Sequence, residues 1–174
     1  MNTASKKPSI LAISGVKNSG KTTLITKLIP LLSAYGLKVA TIKHTTHEVN
    51  LDVPGTDTWK HQAAGAYGTA VFTNNQFLLI KKQPDLQLEQ LIQTFPEADL
   101  ILLEGFKSSN YPKLELIRRG NSAKSICCRS NLLGIVTDIK KEELQGFIPN
   151  VPLLDLNNAQ AVAESIIHYT RNRS

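Results

Sequence analysis

Gly15-Val16-Lys17-Asn18-Ser19-Gly20-Lys21-Thr22 reads G-x-x-x-x-G-K-[ST], the spacing of a phosphate-binding loop. Ser9 to Ser14 before it is a short apolar run, as a buried strand would be. Lys21 to Tyr35 after it carries Leu24, Ile25, Leu28, Ile29, Leu31 and Leu32 at helical spacing. Strand, glycine loop and helix in that order is the context that gives the pattern meaning. Pro30 falls inside the helical pattern and should kink it or end its first part. Gly36 is the expected C-cap.

The spacing has a chemical reason. A triphosphate crowds negative charge into a small volume. Backbone N–H groups from about Asn18 to Thr22 can point inward and cradle the β-phosphate, helped by the positive end of the helix dipole. Gly15 and Gly20 permit backbone angles and close approaches that a Cβ would block. Lys21 would reach the β- and γ-phosphates, the Thr22 hydroxyl would ligate Mg²⁺, and Thr23 is placed to donate to the α-phosphate. The nucleotide-binding candidates are therefore Gly15, Lys17, Asn18, Ser19, Gly20, Lys21, Thr22 and Thr23.

A chain of 174 residues suits one nucleotide-binding domain spanning 1–174. The net charge of +6 fits an anionic ligand or an acidic protein surface. Nucleic acid is not expected, because the basic residues are scattered and 6% aromatic content offers no stacking platform. No apolar run is long enough to span a bilayer, and Met1 to Pro8 lacks the apolar region of a secretory signal, so a cytoplasmic protein with no membrane partner is expected. Cys127 and Cys128 are adjacent, a spacing that rarely makes an unstrained disulfide, and read as reduced thiols.

Further strands are expected at Lys38–Lys43, Gly68–Phe72, Phe77–Lys81, Asp99–Glu104, Lys113–Arg118, Leu132–Thr137 and Val151–Leu156. Asp57 is expected to cap a short helix to about Ala66. Leu86–Phe95 and Ala159–Tyr169 read as helices, and Lys141–Gln145 as one or two helical turns. Lys113–Arg118 alternates, with Leu114 and Leu116 against Glu115 and Ile117, and suggests a less buried strand. Strands alternating with helices imply an α/β, three-layer P-loop fold with a mostly parallel sheet. Residues 67–82, turning around Asn74-Asn75, break that rhythm as an antiparallel hairpin: an edge extension or a dimerisation arm.

Glu104 ends the most hydrophobic run, where ligands bind in open α/β sheets, and can hold Mg²⁺ or orient an attacking water. Asp52 and Asp57, in the loop after the second strand, could complete a Mg²⁺ shell. Lys43, His44 and His47 follow that strand; the two histidines could also bind a transition metal. Lys107, Arg118 and Arg119 could clamp a second anion. Asp138 ends a later strand and could accept from a guanine N1–H and 2-amino group. The N-K-x-D guanine signature is missing, so these residues alone leave GTP and ATP open.

Four stretches carry a resemblance: G-V-K-N-S-G-K-T-T-L at 15–24; I-K-H-T-T-H at 42–47 with D-V-P-G-T-D-T at 52–58; A-A-G-A at 63–66; and D-L-I-L-L-E-G-F-K at 99–107. With these the chain resembles the molybdopterin-guanine dinucleotide biosynthesis protein B family, MobB. The resemblance implies a homodimeric P-loop protein that binds GTP and Mg²⁺ and hydrolyses GTP slowly. It implies work beside a MobA-type guanylyltransferase that joins GMP to molybdopterin in forming the molybdenum cofactor. Some related metallochaperone GTPases carry a second lysine directly after the first loop glycine. Val16 stands there, with Lys17 one later, so that role is not carried over.

Two other readings share the loop. A small-molecule kinase would show an arginine-rich lid, and only Arg118, Arg119 and Arg129 lie between 100 and 130. A metallochaperone would want a Cys/His cluster, for which Cys127-Cys128 is poorly spaced.

Overall fold

The structure is a computed structural model describing residues 7–45, 49–146 and 150–172. Its elements are β1 (Ser9–Gly15), α1 (Lys21–Ala34), β2 (Val39–Lys43), α2 (Asp57–Ala63), β3 (Gly68–Phe72), β4 (Phe77–Lys81), α3 (Leu88–Ile92), β5 (Leu100–Glu104), β6 (Lys113–Ile117), β7 (Leu132–Thr137), β8 (Leu153–Asp155) and α4 (Ala159–Arg171). They form two compact units, one made of residues up to 44 and from 91 onward, the other of residues 45–90.

The larger unit is built on a six-stranded sheet in the order β2-β5-β1-β6-β7-β8. Every neighbouring pair runs parallel. Leu100 to Leu103 are wholly buried, as a continuous apolar run in a central parallel strand should be. The main core joins Leu24, Leu28 and Leu32 of α1 and Val162 and Ile166 of α4 to Leu11, Ile13, Leu102 and Leu116 of the sheet. A smaller cluster gathers Ile117, Leu132, Ile135, Ile139 and Leu144. Among the described residues no helix is long and apolar enough to cross a membrane.

The first helix does not end at Pro30. Proline removes the bond to the Thr26 carbonyl, but both residues are exposed, so water can take that carbonyl. Leu28 and Leu32, both fully buried, hold the helix to the core on either side. Its C-terminus closes as expected around Gly36, at φ +86°. The Gly36 N–H donates to the Ser33 carbonyl and the Leu37 N–H to the Leu32 carbonyl, the paired bonds of a Schellman motif.

β6 departs from its expected character. All five residues are buried, including Lys113 and Glu115. Its place between β1 and β7 covers both faces, and alternation here marks two buried charges rather than a wet face. Each charge is met. The Lys113 ammonium donates to the carbonyls of Ser109 at 2.6 Å, Lys107 at 3.1 Å and Phe106 at 3.5 Å. Glu115 accepts from the Ser125 hydroxyl at 2.5 Å and the Ile126 N–H at 2.6 Å.

In the smaller unit, α2 is capped by Thr56, not by Asp57. The Thr56 hydroxyl accepts from the Trp59 N–H, and Asp57 is the first helical residue, ion-paired with Lys60. Asp57 still suits the positive end of that helix from within its first turn. The hairpin forms as expected, with Gly68 opposite Lys81 and Phe72 opposite Phe77. One face carries Phe72, Phe77 and Leu79, which are 80%, 76% and 60% exposed. The helix expected over 86–95 shrinks to α3, five residues. Asp85 stands at φ +52° before it, and at its end the Thr94 and Phe95 N–H groups turn to the Leu91 and Ile92 carbonyls, three residues back, in place of the helical ladder.

Two outcomes follow from the buried polar cluster on β6. Lys113→Ala should leave three loop carbonyls without their donor and open a cavity, lowering stability by about 3 kcal/mol in urea unfolding. Cys127 lies in the same cluster, where burial, then the negative charge of Glu115, pushes its thiol up to about 12. The exposed Cys128 is instead lowered, by hydrogen bonding to Ser130. At pH 8, Ellman's reagent should therefore titrate one thiol in the native protein and a second only on unfolding; the variant C128S should give none before unfolding. Because folded Cys127 keeps its proton to about pH 12 while the unfolded thiol loses it near 9, its contribution to stability falls as pH rises through that window.

Candidate functional site

The loop Gly15–Gly20 leaves the carboxyl end of β1 and enters α1 at Lys21. Gly15 cannot be replaced at no cost. At φ +144° a Cβ there would stand 2.6 Å from the Leu116 carbonyl oxygen and 2.9 Å from the Ser19 hydroxyl. Asn18 at φ +61° and Gly20 at φ +97° turn the chain into the helix. No side chain caps α1, so its first N–H groups are left for another acceptor. Ser19 is fully buried and its hydroxyl has no partner among the described residues.

Register brings the other functional side chains to the same edge. Glu104 ends β5 opposite Lys43 of β2 and opposite Ile13 of β1. One oxygen of Glu104, Oε1, accepts from the Thr22 hydroxyl at 2.7 Å and pairs with the Lys43 ammonium at 2.9 Å. Lys21 donates to the carbonyls of Val16 at 2.7 Å and Gly15 at 3.1 Å, curling back over its own loop. Partial burial lowers the Lys21 ammonium from its ordinary value; Glu104 pulls it back up and Lys43 pushes it further down. The resulting cleft of about 440 Å³ falls within the size range of small-molecule sites. Lys17, Lys21, Lys43 and Arg118 line it against a single carboxylate, Glu104. It is built for an anion.

The loops around the cleft are braced from within. The Ser14 hydroxyl donates to the Gly105 carbonyl at 2.5 Å, and the Gly105 N–H to the Ile13 carbonyl. Gly105 and Phe106 both take positive φ, at +99° and +51°. Lys113, from below, bonds the carbonyls of Phe106, Lys107 and Ser109 in that turn. The Asn121 side chain donates to the Lys17 carbonyl at 2.9 Å, tying the loop after β6 to the phosphate loop. A smaller hollow shares Gly20, Thr23 and Arg118 with the main cleft and extends to Lys27, Leu156 and Asn157.

The structure thus gathers Lys17, Asn18, Gly20, Lys21, Thr22, Thr23, Glu104 and Arg118 around one cleft, with Gly15 and Ser19 shaping its floor. Asp138 is at the end of β7, where its carboxylate accepts the Arg119 N–H at 2.7 Å. Arg119 turns to Glu143, at 2.8 Å. His44 stacks obliquely on Phe106, with ring centroids 5.9 Å apart. Asp52 and Asp57 belong to the smaller unit. There hydrogen bonds, first from Thr58 and then from the Val53 N–H, Thr56 and Gln62, hold the Asp52 carboxyl below its usual range. His47 lies outside the described residues. Among the described residues no three His, Cys, Asp or Glu side chains gather into a metal-binding group.

Ser14, Lys113 and Asn121 were not legible as site residues. Ser14 ends a strand and Lys113 opens one, and nothing in either position signals a loop carbonyl above. The pairing of Lys43 with Glu104 had a signal: both close apolar strands that run into polar chain.

Residues 10–138 match the family model described as Molybdopterin guanine dinucleotide synthesis protein B. The chain is 31% identical over 172 residues to a molybdopterin-guanine dinucleotide biosynthesis adapter protein of Escherichia coli (strain K12), covering 95% of each. It is 32% identical over 160 residues to a protein of the same description from Haemophilus influenzae, covering 90% of this chain and 86% of the other. In structure it is similar to Bacillus subtilis MobB, with a TM-score of 0.73 at 29% identity, over 93% of this chain and 97% of that one.

Proposed function

The chain belongs to the molybdopterin guanine dinucleotide synthesis protein B family, and from that premise we propose that it is a GTP-binding adapter in molybdopterin guanine dinucleotide biosynthesis. The observation that carries the nucleotide part is the meeting of Thr22 and Glu104 at the mouth of a phosphate-type loop, beside Lys21. The uncapped N–H groups of α1 and the cations of the cleft suit the phosphates.

Thr22 Oγ1 and Glu104 Oε1 are hard oxygen donors 2.7 Å apart, the ligand class that Mg²⁺ takes, so the residues present fit that ion. When bound, Mg²⁺ supplies charge neutralisation at the β- and γ-phosphate oxygens. Intrinsic hydrolysis should be slow. Glu104 is the one acid among the described residues lining the cleft, so a single carboxylate would have both to hold Mg²⁺ and to orient the attacking water. Asp138 is the candidate for reading guanine, with one of its oxygens accepting from the Arg119 N–H.

The adapter part rests on the chemistry around the cleft. Lys43, His44 and Lys107 follow the ends of β2 and β5, cations suited to the phosphate of molybdopterin or to an acidic face on a MobA-type guanylyltransferase. The chain would raise the transferase's product at limiting GTP without transferring phosphate itself. The test is guanylyl transfer with [γ-³²P]GTP and molybdopterin, with and without this protein. Stimulation without label on the pterin is the expected result. Label on the pterin would favour a kinase, and no stimulation at any GTP or salt concentration would remove the adapter. Lys21→Ala should lower GTP affinity at least ~10-fold, about 1.4 kcal/mol, and abolish stimulation; fluorescent-nucleotide titration checks the first part.

The protein should also act as a homodimer through its hairpin. Phe72, Phe77 and Leu79 share one face of a two-stranded sheet too small to bury them, and a second copy would cover it. Light scattering should give a dimer for the wild type and a monomer for Phe72→Asp combined with Leu79→Asp, with the melting temperature of the larger unit little changed.

A further inference from the structure

We propose that Lys43 is the residue that reads the γ-phosphate: parked on Glu104 when the cleft is empty, it moves to the terminal phosphate when a triphosphate enters. This rests on the nucleotide reading of the cleft and adds to it a sensor of triphosphate against diphosphate.

The argument begins with crowding on one atom. Glu104 Oε1 is shared by the Thr22 hydroxyl and the Lys43 ammonium. Thr22 fixes which end of a nucleotide comes here, since the hydroxyl after the loop lysine serves the β- and γ-phosphates. Lys43 is therefore stationed at the γ end. Arg118, beside Gly20 and shared with the hollow running to Asn157, is stationed towards the other end.

The two partners of the ion pair are unequal. The Glu104 side chain is 13% exposed and the Lys43 side chain 57%. The carboxylate is fixed, and the lysine hangs from the last residue of β2 with a long flexible stem into the mouth of the cleft. An ion pair this exposed holds its lysine weakly. A terminal phosphate carries more negative charge than one carboxylate and would arrive among Lys21 and Lys43 together. Lys43 then has the stronger partner, and its departure releases Glu104 Oε1. Lys21 cannot make this distinction, because it serves β- and γ-phosphates alike.

The arrangement also explains why a lysine is tolerated so near Lys21, whose ammonium it repels. Without an anion, Glu104 between them offsets that repulsion. With a diphosphate, the anion ends short of Lys43 and the lysine keeps its place on Glu104.

The experiment is a titration of the full chain with methylanthraniloyl-labelled GDP and a labelled, non-hydrolysable GTP analogue, for the wild type, Lys43→Met and Lys43→Arg, in Mg²⁺ buffer. Lys43→Met should lose ~10-fold or more of its affinity for the triphosphate and stay within about twofold for GDP, and Lys43→Arg should recover part of the loss. Melting temperatures of the three proteins should agree, since Lys43 is exposed. Equal loss for both nucleotides, or no loss for either, would overturn the role of Lys43 while leaving the nucleotide site standing. A wild type that binds neither nucleotide would overturn the nucleotide reading, and this proposal with it.

Discussion

Parallel register across β2, β5 and β1 is the constraint on which the site depends. It places Lys43 opposite Glu104 and Glu104 opposite Ile13, so three chain segments far apart in sequence reach the same sheet edge together. The phosphate loop then starts two residues beyond Ile13. A shift of β5 by one residue would turn Glu104 to the other face of the sheet, away from Thr22. The wholly buried run Leu100–Leu103 prevents such a shift, because its apolar side chains fill both faces. Packing energy spent deep in the core is thus what aims a carboxylate at the surface.

Much of this was legible from residues alone, because the signals were local. A glycine loop between an apolar strand and a helix needs no tertiary information, and neither does a hairpin of two alternating runs. The main sheet followed, and the glycine loop, Lys21, Thr22 and Glu104 meet at one edge of it. What was illegible depended on neighbours. β6 reads as a less buried strand because Glu115 alternates with leucines; only its place between β1 and β7 shows Glu115 and Lys113 meeting loop groups inside the protein. Pro30 is expected to kink the helix or end its first part, and two buried leucines, one on either side, keep the helix going through it. Thr56 takes the cap in place of Asp57 because the helix begins one residue earlier than a cap at the acid would have it.

The charges of the cleft are balanced within the protein. Lys21 bonds loop carbonyls, and Lys43 and Thr22 share one carboxylate oxygen. Lys21, Lys43 and Thr22 thus each have a partner within the protein. Pairing of this kind spares the cleft the cost of an uncompensated, partly buried charge. Beneath it, Lys113 and Ser14 hold the Gly105–Ser109 turn by its carbonyls, so two consecutive residues in left-handed geometry sit over a firm base.

The chain leaves the sheet after β2 and comes back to it as β5, the strand hydrogen-bonded to β2. Everything in residues 45–90 is therefore spliced into a single crossover between two adjacent strands. That crossover has only to run back along a five-residue strand, about 17 Å. Residues 91–99 alone, stretched out, span about 30 Å. The sheet's register does not care what the intervening segment contains. All six strands of the main sheet lie outside residues 45–90, so the hairpin-bearing segment is an insert between two of them. A change in the length or sequence of that insert should leave the register of the sheet, and the cleft at its edge, in place.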